Sequence, residues 1–139
     1  MPIIEKTNQI GGLGHGDVKI ARGLYSFASE GGAVGDIVLR GDSIPSGAIV
    51  VDALIKVDTV PTSGGAATIA VKVESAADVN AADAISGAPW STTGAKRADL
   101  TATSAPVTTT ASRSITATVG TAALTAGAFT VLVSYIELA

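Results

Sequence analysis

Between Gly47 and Glu74 two runs of alternating apolar residues flank the segment Pro61-Thr62-Ser63-Gly64-Gly65. In the first run, Ala48 to Val60, the residues Ile49, Val51, Ala53, Ile55 and Val57 share one face, and Asp52, Lys56 and Asp58 fall on the other with Val50 and Leu54. In the second, Ala66 to Glu74, the residues Ala67, Ile69, Val71 and Val73 oppose Thr68, Ala70, Lys72 and Glu74. A period of two is the mark of β-strands. A proline of fixed φ, followed by glycines that accept positive φ, supplies a reversal. The stretch therefore predicts a long β-hairpin.

Strand-like sequence recurs on both sides of it. Ile20 to Ala28 reads as a strand, Ser29-Glu30-Gly31-Gly32 as a turn, and Val34 to Arg40 as its hairpin partner. Gly41 to Gly47 reads as a loop, and Ser75 to Ala88 as a short irregular excursion. Gly87 to Gly94 reads as a turn around Trp90, with Lys96-Arg97 in a loop after it. Thr101 to Thr110 is Thr/Ala/Ser-rich, a region of strand and loop with weak packing. Ile115, Ala117 and Val119 mark an amphipathic strand, Gly120 to Gly127 a connector, and Phe129 to Leu138 the last strand. That strand is apolar on both faces: Phe129, Val131, Val133 and Tyr135 on one, Leu132, Ile136 and Leu138 on the other. A sheet with one wet side would not need that, so Leu132, Ile136 and Leu138 are the candidate residues for contact with another subunit. The expected fold is all-β, a β-sandwich or jelly-roll-like barrel, with residues 20–139 as its single domain. Residues 1–19, rich in glycine and without periodicity, are expected to form an extended N-terminal arm whose anchors are Ile3, Ile4, Ile10 and Leu13.

Composition narrows the function. The 139 residues include only two Phe, two Tyr and one Trp, a thin β-branched interior that points to a building block stabilised by association. A net charge of −3 with 15% charged residues offers no basic footprint, which argues against nucleic acid and against a membrane surface as partners. Cysteine is absent, so thiol chemistry, zinc-thiolate sites and disulfides are excluded. The N-terminus lacks a signal-peptide pattern and no apolar run is of spanning length, so the expected place of synthesis and assembly is a cytoplasm.

Candidate chemistry is sparse, and no enzyme activity, cofactor or metal is expected. The single histidine, His15, lies in the arm, in Gly11-Gly12-Leu13-Gly14-His15-Gly16, which lacks the Lys-Ser/Thr of a phosphate loop. Asp78, Asn80 and Asp83 are spaced like part of a calcium loop but lack its central glycine and terminal glutamate; a solvated turn is the expectation. Arg40-Gly41-Asp42-Ser43 spells an integrin-recognition tetrapeptide and is read as a β-turn. Trp90 is either a core plug or a platform for a sugar or partner. Lys96-Arg97 is read as solvated rather than paired.

The stretch from Gly64 to Gly94 contains Ala67-Thr68-Ile69-Ala70-Val71-Lys72-Val73-Glu74-Ser75-Ala76-Ala77-Asp78 and Ser86-Gly87-Ala88-Pro89-Trp90-Ser91. It resembles a group of small tailed-bacteriophage virion structural proteins of head decoration, head fibre or minor tail type. The similarity extends from about Ala21-Arg22-Gly23-Leu24-Tyr25-Ser26-Phe27 to Phe129-Thr130-Val131-Leu132-Val133-Ser134-Tyr135. The resemblance carries no catalytic residues. It implies a particle component, first of all a capsid decoration (cement) protein on the outside of the head. Its expected partners are the phage major capsid protein and further copies of itself, as a homo-oligomer, a trimer. A tail or fibre-base protein and a carbohydrate-binding module using Trp90 are the alternatives.

Overall fold

The computed structural model describes residues 17–101 and 105–137. Its elements are β1 (Lys19–Ser26), a helical turn α1 (Phe27–Glu30), β2 (Gly35–Ile44), β3 (Ala48–Ser63), β4 (Thr68–Lys72), β5 (Asn80–Ala84), β6 (Gly94–Arg97), β7 (Arg113–Gly120) and β8 (Leu124–Glu137). All pairs are antiparallel, and they nest: β1 with β8, β2 with β7, β3 with β6, β4 with β5. First meets last and the rest follow inward, so the chain is one long hairpin rolled over on itself, the topology of a jelly roll. The expected all-β sandwich or jelly-roll-like fold is the one found.

Rolling produces the strand order β5-β4-β7-β2-β1-β8-β3-β6. The sheet creases at its middle, where β1 and β2 pair only through Gly23↔Gly41 and Leu24↔Arg40. Glycine is required on the β2 side of this crease, at Gly41, and fits the tight space on the β1 side, at Gly23. A Cβ on Gly23 would lie 3.0 Å from Cβ of Ile115 and 3.1 Å from Leu39, and one on Gly41, at φ +125°, would collide with the Arg22 carbonyl oxygen. With the two strands so close, the halves face one another across a core of Tyr25, Ala53, Ile55, Val57, Phe129, Val131 and Val133 from one side and Leu39, Ile69, Val71, Ile115, Ala117 and Val119 from the other.

Besides the end of the first expected strand, where Phe27 and Ala28 lie in α1 instead, four expectations change. The runs expected to form a hairpin are both strands, but β3 bonds to β8 and β6 whereas β4 bonds to β7 and β5. Alternation dictates which side chains a strand buries and leaves its partner open, and here distant β7 and β8 complete the core. Second, Arg40-Gly41-Asp42-Ser43 is not a turn: β2 runs through it to Ile44, bent at Gly41, with the Asp42 carboxylate accepting the Arg22 N–H at 3.0 Å. Third, the irregular excursion contains β5, and Lys96-Arg97 lies in β6; both strands are too short to show periodicity. Fourth, β8 begins at Leu124, inside the expected connector, so the β7–β8 turn is 121–123 alone.

A bulge between Val50 and Asp52 also reassigns the faces of β3. Ala53, Ile55 and Val57 point inward as expected, but before the bulge it is Ala48 and Val50 that are buried, and Val51 is exposed.

The roll gathers the connections at two ends. Segments 31–34, 64–67, 85–93 and 121–123 lie at one end with α1, where Leu124 N–H donates to Gly32 O (2.8 Å) and Ser63 Oγ to Ala123 O (2.6 Å). Segments 45–47, 73–79, 98–101 and 105–112 lie at the other. There Thr109 Oγ1 donates to Pro45 O (2.6 Å) and Leu100 N–H to Val79 O (2.9 Å). Because β1 starts and β8 finishes at this second end, the described chain also enters and leaves there, with Lys19 Nζ paired to Glu137 at 2.9 Å. We call it the entry end.

Candidate interaction surfaces

The polar clusters of the entry end are structural ties. Asp78 is buried, and its carboxylate accepts the N–H groups of Val73 (2.8 Å), Glu74 (2.9 Å) and Ser75 (2.7 Å). It satisfies the donors that β4 leaves unpaired as it turns. Asn80 bonds Asp83 at 3.0 Å through its side-chain nitrogen and accepts Asp99 N–H at 3.2 Å. The three oxygen side chains are thus turned to the fold, and no three His, Cys, Asp or Glu side chains converge on a metal position among the described residues. Beside them Glu74 receives Arg113 through Nε at 2.7 Å and Nη2 at 3.1 Å, with Thr110 Oγ1 at 2.7 Å. These bonds hold the Glu74 carboxyl at about 2, well below its ordinary 4.5, with Arg113 as the main cause. An open cleft of about 370 Å³ lies between Glu74, Ser75, Asp78 and the segment Pro106, Val107, Thr108. Its two carboxylates are already engaged, Asp78 by three backbone N–H groups and Glu74 by Arg113 and Thr110.

Trp90 is fully buried, its ring centroid 4.8 Å from that of Phe129, which in turn stacks on Tyr25 at 4.9 Å. It is the core plug, and a sugar cannot reach its face. Arg97, expected to be solvated, pairs with Asp52 across β6 and β3 at 2.7 Å, and Lys96 bonds the Thr92 and Thr93 carbonyls. His15 and the arm anchors Ile3, Ile4, Ile10 and Leu13 lie outside the described residues, as does Leu138.

The outer faces of the two half-sheets differ in kind. On the β2-β7-β4 side, Asp36 joins Lys72 at 2.7 Å and Thr118 Oγ1 at 2.8 Å; Thr116 sits between Val38 and Lys72. Val38 is the exposed large aliphatic group within the strands of this face, and Val34, 57% exposed, stands just before β2. The β1-β8-β3-β6 side carries a lattice of them. Across the strands lie Arg22, Leu132, Leu54 and Arg97 in one row; Leu24, Thr130, Lys56 and Ala95 in the next; and Ile20, Ser134 and Asp52 on the other side. Toward the entry end Ile136 stands opposite Ile49. Ile20 is 60% exposed and Val18, just before β1, 61%. Leu132 and Ile136, picked out by the double-faced pattern of β8, therefore sit on this outer face. Ile20, Leu24, Ile49 and Leu54 join them only through strand pairing, which no local pattern reveals.

No family model matches the chain, and no curated protein matches it. Solved structures share its fold. A chain of the acidic stable capsid structure of Helicobacter pylori bacteriophage KHP30 aligns at TM-score 0.61 and 18% identity, over 90% of this chain and 91% of that one. A chain of the cyanophage Pam1 capsid asymmetric unit aligns at TM-score 0.61 and 22% identity, over 90% and 87%. One from the capsid of Ralstonia phage GP4 gives 0.63 and 21%, over 88% and 86%. The likeness is one of fold, a jelly roll matched along nearly the whole of each partner.

Proposed function

We propose that this chain is a structural component of a tailed-phage particle, a capsid decoration protein that binds the outside of the head shell and stiffens it. The observation that carries the reading is the near end-to-end match of its fold to chains of three phage capsids. The described surfaces suit such a role: the polar clusters are ties within the fold, and the aliphatic lattice invites protein contact.

In this reading the major capsid protein is the partner, and the chain works as a homo-oligomer, a trimer, joined through the outward residues of β8. Residues 1–16, with Ile3, Ile4, Ile10 and Leu13, continue from the entry end and dock on the shell, adding apolar contacts or a strand to a subunit edge. The particle is assembled in the host cytoplasm and carries the chain on its exterior. Incubating the full chain with undecorated shells and sedimenting them should bring it down with the particles. A chain lacking residues 1–16 should stay folded and bind shells at least tenfold more weakly. Equal binding by both would mean that the body alone makes the contact, and recovery with tails instead of heads would favour the tail or fibre-base role.

A further inference from the structure

We propose that the outer face of the β1-β8-β3-β6 half-sheet is the wall on which a second copy of this chain packs. The orientation argument rests on the capsid reading above. If the N-terminal residues reach the shell, the entry end, from which they continue, faces it. The strands then rise from the shell, and a sheet face, running parallel to them, looks sideways, toward neighbours at the same radius. On a regular shell such a neighbour is another copy.

The face itself has the properties a copy-to-copy contact needs. It presents Ile20, 60% exposed, with the half-buried Leu24, Leu54, Leu132 and Ile136 in adjoining rows, whereas the strands of the opposite outer face offer Val38, with Val34 just before β2. Its charges nearly cancel, Arg97 being paired with Asp52 and Lys56 with Asp58 while Arg22 adds one positive charge, so two like faces repel little. Its four strands cover roughly 650 Å² in projection at strand spacings of about 4.8 Å and rises of about 3.3 Å. Side-chain relief brings that near the roughly 800 Å² of accessible surface per partner that a stable interface buries.

Sedimentation velocity of the full chain, from about 1 to about 100 µM, tests this in solution, without shells. The wild type should be oligomeric. Leu54→Asp and Ile20→Asp should each raise the concentration at half-dissociation at least tenfold, while Val38→Asp on the opposite face leaves it unchanged. Emission from buried Trp90 reports whether each variant is folded. Should Leu54→Asp fail to fold, the comparison of Ile20→Asp with Val38→Asp decides, since both positions are 60% exposed. A monomeric wild type at the highest concentration overturns the proposal, and so does dissociation by Val38→Asp with Ile20→Asp intact. Failure to bind shells leaves these masses untouched and counts against the capsid reading alone.

Discussion

Single residues fix the crease and the core. Gly41 combines φ +125° with a backbone carbonyl where its Cβ would be, so Gly41→Ala should cost at least about 2 kcal/mol in denaturant unfolding. Gly31, at φ +75° with open space around it, has only the backbone penalty, and Gly31→Ala should cost about 1 kcal/mol. Equal losses at the two positions would contradict the close approach at the crease. Trp90 is a second case. Its indole N–H is buried with no hydrogen-bond partner among the described residues, so Trp90→Phe loses volume and no bond seen there, whereas Trp90→Ala leaves a cavity worth about 3–5 kcal/mol. Thermal melts should rank the wild type first, Trp90→Phe close behind and Trp90→Ala last. Of these residues Trp90 was legible in the sequence, as the only large anchor in its region. The role of Gly41 was not, because it depends on β1 lying against it.

At the scale of elements, Glu74 pins the end of β4 to Arg113 at the start of β7. Its folded pKa lies below its unfolded one, so the carboxylate contributes stability fully above about 4.5 and loses it as pH falls through about 2. The gap in melting temperature between wild type and Glu74→Gln should therefore hold steady above pH 5, narrow below about 4.5 and close near pH 2. A constant gap down to pH 2 would show that the charge is not what holds the strands. The neighbouring Asp78 caps three N–H groups, and Asp78→Ala should cost about 2–3 kcal/mol, read from chemical denaturation. Calcium or chelator should leave the melting temperature where it is. Most strands were legible from alternation, notably β7 and the two runs now seen as β3 and β4. Their pairing was not. Asparagine, alanine and aspartate in β5, and Gly94 to Arg97 in β6, carry no period at all; they are strands because β4 and β3 offer them an edge.

At the scale of the whole molecule, the jelly roll gives the chain two ends and two faces with different tasks. The fold class was legible because six or more strand-like runs separated by Gly/Pro turns leave few all-β solutions. The outer aliphatic lattice was half legible: Leu132 and Ile136 showed through the double-faced β8, while Ile20 and Leu54 needed the register across β1, β8 and β3. The most direct test of the account is an image reconstruction of the intact particle at a resolution that separates strands. The account predicts an eight-stranded body on the outside of the head, its entry end against the shell and its β1-β8-β3-β6 face against a neighbouring copy. Density for this chain in the tail, or on the head with the α1 end toward the shell, would contradict it.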